Sequence, residues 1–169
     1  MKKKILTILG TRPEIIRLSR ILKALDKYFN HEIVNTNQNF SKNLNLDFFK
    51  DLEIRKPKYS MKNNKNKDPI EFISIGLIFI DKILEKEKPD AILILGDTNT
   101  SLTSIVAKRK KIPIFHLEAG NRCFDQRVPE EINRKIVDHI SDVNLTYSTY
   151  AENNLLREGL PRDLIIKVG

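Results

Sequence analysis

The sequence predicts an α/β fold with a doubly wound, mostly parallel sheet. Short apolar runs rich in β-formers alternate with segments of helical period. Those runs lack the strict alternation of a half-exposed strand, which suits a parallel sheet covered on both faces. Three of the helical segments also carry Pro at or near their first residue, where its missing N–H costs nothing.

Taken in order, Ile5 to Leu9 is the first strand, and Gly10-Thr11-Arg12-Pro13-Glu14 turns the chain into a helix over about Pro13 to Tyr28. Glu32 to Thr36 is the second strand. The Lys-Asn run from Lys56 to Lys67 has too few apolar residues to bury and is expected as a solvated loop around a weak apolar run near Tyr59. Pro69 to Glu87 is helical, with Ile73, Leu77, Ile80 and Leu84 spaced to make one face for the sheet. Strands follow at Ala91 to Leu95, Ile112 to Leu117, Val143 to Tyr147 and Leu164 to Val168. Between them lie helices over about Thr98 to Arg109, Pro129 to His139 and Thr149 to Glu158. The segment from Asn121 to Val128 is irregular.

A chain of 169 residues holds one domain with a real core and is short for two. Its apolar runs are too short to span a bilayer. The basic start, followed by only about six apolar residues, is a first strand rather than a signal peptide. One cysteine, Cys123, excludes an internal disulfide, and three widely spaced histidines form no metal cluster, so the expected setting is reducing and cytoplasmic with no metal. The formal charge of +8 favours anionic partners. Scattered bases without interleaved aromatics argue against nucleic acid.

In such sheets ligands collect where strands end at their carboxyl side. Three polar segments follow strands in this way: Gly10 to Glu14, Gly96-Asp97-Thr98-Asn99-Thr100, and Glu118-Ala119-Gly120. A single Gly in the first turn does not make the GxGxxG cradle of a dinucleotide, which argues against nicotinamide or flavin. Arg12, beside a helix amino end, can hold a phosphate or carboxylate. Asp97 taken alone would cap a helix opening at Thr98, but its place at the rim favours function. Glu118 ends an apolar strand and needs a partner or a job. Glu130 and Glu131 point about 100° apart on a helix, so only one can face a shared pocket and the other serves as a dipole or salt-bridge group. Arg134 follows Glu130 at i,i+4 and can pair with it or face an anionic ligand. Cys123 has no base placed near it and reads as structural, and His116 reads as a hydrogen-bonded core residue.

GTRPE at 10–14, GDTNTS at 96–101 and HLEAGNRCFDQRVPEEINR at 116–134, with NLLREGLPRDLIIKVG at the carboxyl end, resemble the non-hydrolysing UDP-N-acetylglucosamine 2-epimerase family. EAGNRC, where many members read EAGLRT, is similar to the branch that makes UDP-N-acetyl-L-fucosamine. The resemblance implies two Rossmann-like domains facing across a cleft, as in the glycosyltransferase-B architecture. Residues 1–169 match only the amino-terminal one; the second UDP-binding domain lies outside this sequence, either because the chain is a truncated frame or because a separate polypeptide supplies it. It implies a UDP-sugar substrate inverted at C2 by elimination and re-addition of UDP. Neither metal nor redox cofactor takes part, and the complete enzyme is a homodimer. By resemblance Asp97, Glu118 and Glu130 are the acid/base carboxylates, with individual roles open. Arg12 stabilises the departing diphosphate, and Arg17 and Arg134 bind substrate. Arg17 stands where many members have Lys, and Asn37 replaces a common Gly, which Asn can imitate in a left-handed turn. A glycosyltransferase of the same architecture, and a truncated non-catalytic fragment that binds an epimerase subunit, are the competing readings.

Overall fold

A computed structural model describes residues 1–38, 49–62 and 68–169. Seven strands form one parallel sheet: β1 (Lys4–Leu9), β2 (Asn30–Asn35), β3 (Tyr59–Ser60), β4 (Ala91–Leu95), β5 (Ile114–Leu117), β6 (Val143–Thr146) and β7 (Ile165–Lys167). Their spatial order is β3-β2-β1-β4-β5-β6-β7. The helices are α1 (Arg12–Tyr28), α2 (Pro69–Glu87), α3 (Ser104–Arg109), α4 (Pro129–Ile140) and α5 (Thr149–Arg157). Chain direction along the sheet reverses between β1 and β4, which opens a crevice at their carboxyl ends.

Side chains on alternate strand positions feed two cores. Leu6, Ile8, Val34, Ile92 and Ile94 pack against Ile80, Ile83 and Leu84 of α2, Ala107 of α3 and Val137 of α4. On the opposite face Leu9, Ile33, Leu93, Leu95 and Leu117 meet Ile15, Leu18 and Leu22 of α1, with Phe49 and Ile54. The α2 stripe is rotated slightly from its sequence expectation. Phe72, Gly76, Ile80, Ile83 and Leu84 are buried, whereas Ile73 and Leu77 lie at the half-buried edge.

The α1 face is not covered across its width. Leu95, Leu117, Leu145 and Ile166 form one cross-strand row. Exposure along it rises from 3% at Leu95 and 4% at Leu117 to 48% at Ile166. An apolar groove of about 550 Å³ lies there, lined by Leu93, Phe115, Leu145, Tyr147 and Val168 beside Ile21 of α1. The expectation of a sheet covered on both faces therefore holds around β1, β2 and β4 but not over β5 to β7. Handedness explains this. Right-handed crossovers toward β3 put α1 on one face, and those toward β7 put α2, α3 and α4 on the other. Helix α5 joins the latter side, because Ile165, which it contacts through Leu155, shares a row with Ile94, His116 and Asn144.

Two further differences from the sequence stand out. The helix expected from Thr98 starts later, as a 3-10 turn over Ser101–Thr103 leading into α3, so Asp97 does not cap it. The Lys-Asn run is not all loop, since Lys58 leads into β3 and pairs with Glu32 and Glu87; residues 63–67 of that run lie outside the described residues. Asn37 has φ +53°, the left-handed turn expected of it. Among the described residues no helix is long and apolar enough to cross a membrane.

Candidate active site

Three strand ends build the site. After β1, Gly10 and Thr11 start α1, and the N–H groups of both donate to Oε2 of Glu14 at 2.6 and 2.7 Å. The other oxygen of Glu14 accepts the Thr98 hydroxyl at 2.8 Å, which ties the β1 turn to the β4 turn. Gly10 has no substitute here, because a Cβ would lie 2.2 Å from the hydroxyls of both Thr36 and Thr100. Glu14 is 2% exposed, and burial pushes its carboxyl above the ordinary carboxylate value against the lowering effect of the Gly10, Thr98 and Thr11 hydrogen bonds.

After β4, Gly96 at φ +69° turns the chain so that Asp97 faces the crevice. Asp97 accepts from Arg134 Nη2 at 2.5 Å, and the Asp97 carbonyl accepts from the buried Asn133 amide at 2.9 Å. After β5, Glu118 itself adopts φ +66°, a conformation uncommon for a residue with a Cβ and one that tends to persist at functional sites. Its carboxylate pairs with Arg17 and accepts from the Asn121 amide at 3.4 Å. The Tyr147 phenol, at the end of β6, is pushed above its ordinary value by burial and then by the Glu118 charge.

A cavity of about 340 Å³ collects these groups: Glu14, Arg17, Asp97, Thr98, Glu118 and Glu130 all line it. The adjacent glutamates separate as their helical geometry requires. Glu130 is exposed toward the cavity, whereas Glu131 is fully buried and accepts the N–H groups of Cys123 at 3.0 Å and Phe124 at 3.2 Å. Burial alone would raise the Glu131 carboxyl, but those amides, the Cys123 thiol and the nearby Arg134 outweigh it and hold the group below its usual value.

The structure thus brings Asp97, Glu118, Glu130 and Arg17 together. Arg12 is the first residue of α1 and partly buried, and it is not among the described residues lining the cavity; the guanidinium beside the Glu118 carboxylate is that of Arg17. Arg134 does not pair with Glu130. It bridges Asp97 and, at 3.2 Å, Glu131, because i,i+3 on α4 and the β4 turn lie on the same side of its guanidinium. His116 is buried and its Nε2 donates to the Gly96 carbonyl at 2.9 Å, as expected of a core histidine. Glu14, Asn133 and Tyr147 escaped the sequence reading. For Glu14 a signal existed, since Thr11 to Glu14 spells the T-x-x-E capping box. Nothing local marks Asn133 or Tyr147.

A parallel sheet with carboxylates gathered at its reversal point defines a Rossmann-like domain of the glycosyltransferase-B type. Residues 23–169 match the UDP-N-acetylglucosamine 2-epimerase family model, and the chain belongs to that family. A UDP-N-acetylglucosamine 2-epimerase from Rickettsia bellii superposes with a TM-score of 0.92 at 53% identity, over 99% of this chain and 44% of that one. The Methanocaldococcus jannaschii UDP-GlcNAc 2-epimerase, solved in complex with UDP-GlcNAc and UDP, gives 0.93 at 46% identity over 98% of this chain and 46% of that one. A lipopolysaccharide outer core galactosyltransferase, 16% identical with a TM-score of 0.65 over 96% of this chain and 44% of that one, shares the fold alone. The chain spans about half the length of the relatives it matches.

Proposed function

We propose that this chain is the amino-terminal half of a UDP-N-acetylhexosamine 2-epimerase, a cytoplasmic enzyme that inverts C2 of a UDP-sugar by anti elimination of UDP and re-addition. The observation that carries this reading is the convergence of Asp97, Glu118 and Glu130 in one cavity beside Arg17. Taking a weakly acidic proton from C2 and returning one to the opposite face needs acid/base groups on different sides of the sugar. Carboxylates arriving from the ends of β4 and β5 and from the start of α4 supply them. Departure of the diphosphate needs cations, for which Arg17 in the cavity and Arg12 at the amino end of α1 are the candidates. Arg134 acts on the substrate's side of the site by holding the Asp97 carboxylate.

No metal or redox cofactor enters this reaction. The second UDP-binding domain comes from polypeptide beyond residues 1–169, the complete enzyme is a homodimer, and nucleic acid and membrane are not its partners. The test joins this chain to the second half of the Rickettsia bellii enzyme and follows solvent deuterium into C2. Exchange is expected with UDP-N-acetylglucosamine or its 6-deoxy-L-hexosamine counterpart, and Asp97→Asn or Glu118→Gln should reduce it at least a hundredfold. A folded, joined protein that exchanges neither sugar would overturn the assignment.

A further inference from the structure

Beneath the cavity lies a second set of charged groups that the chemistry does not touch. Asp138 on α4 is fully buried, and so is the side chain of Arg122. Arg122 Nη1 donates to Asp138 Oδ2 at 2.7 Å and to the Asn121 carbonyl at 2.7 Å, while its Nε and Nη2 grip both oxygens of Glu158 at 2.7 and 2.5 Å. The N–H of Gly120 points at the Asp138 carboxylate, 3.2 and 3.3 Å from its two oxygens. His116 Nδ1 lies 2.8 Å from Asp138 Oδ1, a close contact without hydrogen-bond geometry, and its Nε2 donates to the carbonyl of Gly96. A buried carboxylate is costly unless its lone pairs are filled, and removing one partner leaves the rest unsatisfied. This one is met by the Gly120 N–H and the Arg122 guanidinium, both of the loop after β5, and it faces His116 of β5, whose other ring nitrogen reaches the Gly96 carbonyl of the β4 turn.

Those loops carry the candidate acid/base groups. Gly96 precedes Asp97, and Gly120 and Asn121 follow Glu118 at its left-handed turn. The Glu118 turn is closed from its other side by Asn154, whose amide donates to the Gly120 carbonyl at 2.9 Å, and by the absence of a Cβ at Gly120, which would fall 2.3 Å from the Ala151 carbonyl. We propose that Asp138 is a positioning residue that sets the Asp97 and Glu118 loops relative to each other, directly through Gly120 and Arg122 and, through His116, at Gly96. Misplacement by about 1 Å at such a site costs on the order of a hundredfold in rate, so a shared anchor governs turnover more than binding. Glu158, which pairs with the outer end of Arg122 and, at 3.3 Å, with exposed His139, is the control.

The proposal rests on the catalytic reading of Asp97 and Glu118, and two arms of the test keep the two apart. In the isolated chain, amide hydrogen exchange of Asp138→Asn should show at least a tenfold loss of protection at Gly96 and Gly120, with Leu6 and Ile8 of β1 unchanged and Glu158→Gln like wild type. His116→Gln, which severs only the arm to Gly96, should loosen Gly96 and leave Gly120 protected; it also serves if Asp138→Asn fails to fold. In the joined enzyme, Asp138→Asn or His116→Gln should lower kcat ten- to a hundredfold with KM within about threefold, and Glu158→Gln should leave both within about threefold. Wild-type exchange at Gly96 and Gly120 in the variants, uniform loss of protection across all strands, or equal effects from Glu158→Gln would overturn the positioning role. An inactive joined wild type would instead count against the epimerase reading while leaving the exchange arm intact.

Discussion

Glu14 shows how a single carboxyl links the site to pH. Its ordinary value of 4.5 is raised by burial in spite of three hydrogen-bond donors. A group whose folded value is raised binds its proton more tightly in the folded chain, so its contribution is most favourable below 4.5 and declines as pH rises through the raised folded value. Glu14→Gln keeps the geometry: the amide oxygen can accept from Gly10 and Thr11, and the amide nitrogen can donate to Thr98. Urea unfolding between pH 4 and 7 should therefore show a falling stability in wild type that is flattened in the variant, which is at least as stable at pH 7. A variant with the same pH slope as wild type would show that Glu14 is not its source. At this scale the sequence was legible where chemistry and position coincide, as with Glu118 ending an apolar strand and Asn37 in place of Gly. It was illegible where a partner comes from far along the chain. Helical spacing offers Arg134 either Glu130 or an anionic ligand as partner, and nothing in it points to Asp97, 37 residues away, which holds the guanidinium.

Helix α2 is fixed to the sheet by a terminal charge as well as by its apolar stripe, and the coupling is measurable. Its last residue, Glu87, sits at the carboxyl end of the helix, where a negative charge opposes the dipole. The cost is offset by Lys4 of β1, by the Tyr59 hydroxyl of β3, and by Lys58 at 3.1 Å. Lys4 foremost, with Tyr59 and Lys58, lowers the Glu87 carboxyl to about 2. A depressed folded value gives stability that is complete above the ordinary 4.5 and lost as pH falls from 4.5 through about 2. Glu87→Gln should be less stable than wild type at pH 7 and should have a shallower acid limb between pH 4.5 and 2, monitored by thermal unfolding. Matching acid limbs would place the coupling elsewhere. Elements of this kind were readable because apolar period and Pro placement act locally: strands and helices fall within a few residues of expectation. The start of α3 was not, because Thr98 bonds to Glu14 and the Asp97 carbonyl to Asn133, which hold that segment out of the helix.

Topology, by contrast, decides what the whole molecule leaves uncovered. A strand pattern announces that its residues are apolar on both sides, but not that every crossover toward β7 sends its helix to the same face. The groove over Leu145, Tyr147 and Val168 is the result, at one end of a row whose other end is fully packed beneath α1. In the proposed enzyme the cavity is one wall of the cleft, built from the turns after β1, β4 and β5 and the start of α4. Proximity contributes about 7–11 kcal/mol to catalysis only when both reacting partners are held in place. The isolated chain is therefore expected to fold and yet to exchange no detectable deuterium into C2 under conditions where the joined protein does. Its bare face should bind a hydrophobic dye. Ile166→Thr with Val168→Thr, at positions 48% and 51% exposed, should weaken dye binding while changing stability by no more than about 0.5 kcal/mol per site, as exposed substitutions do. Dye binding unaltered by these substitutions would place the exposed apolar surface elsewhere, and full turnover by the chain alone would show that one wall of the cleft suffices.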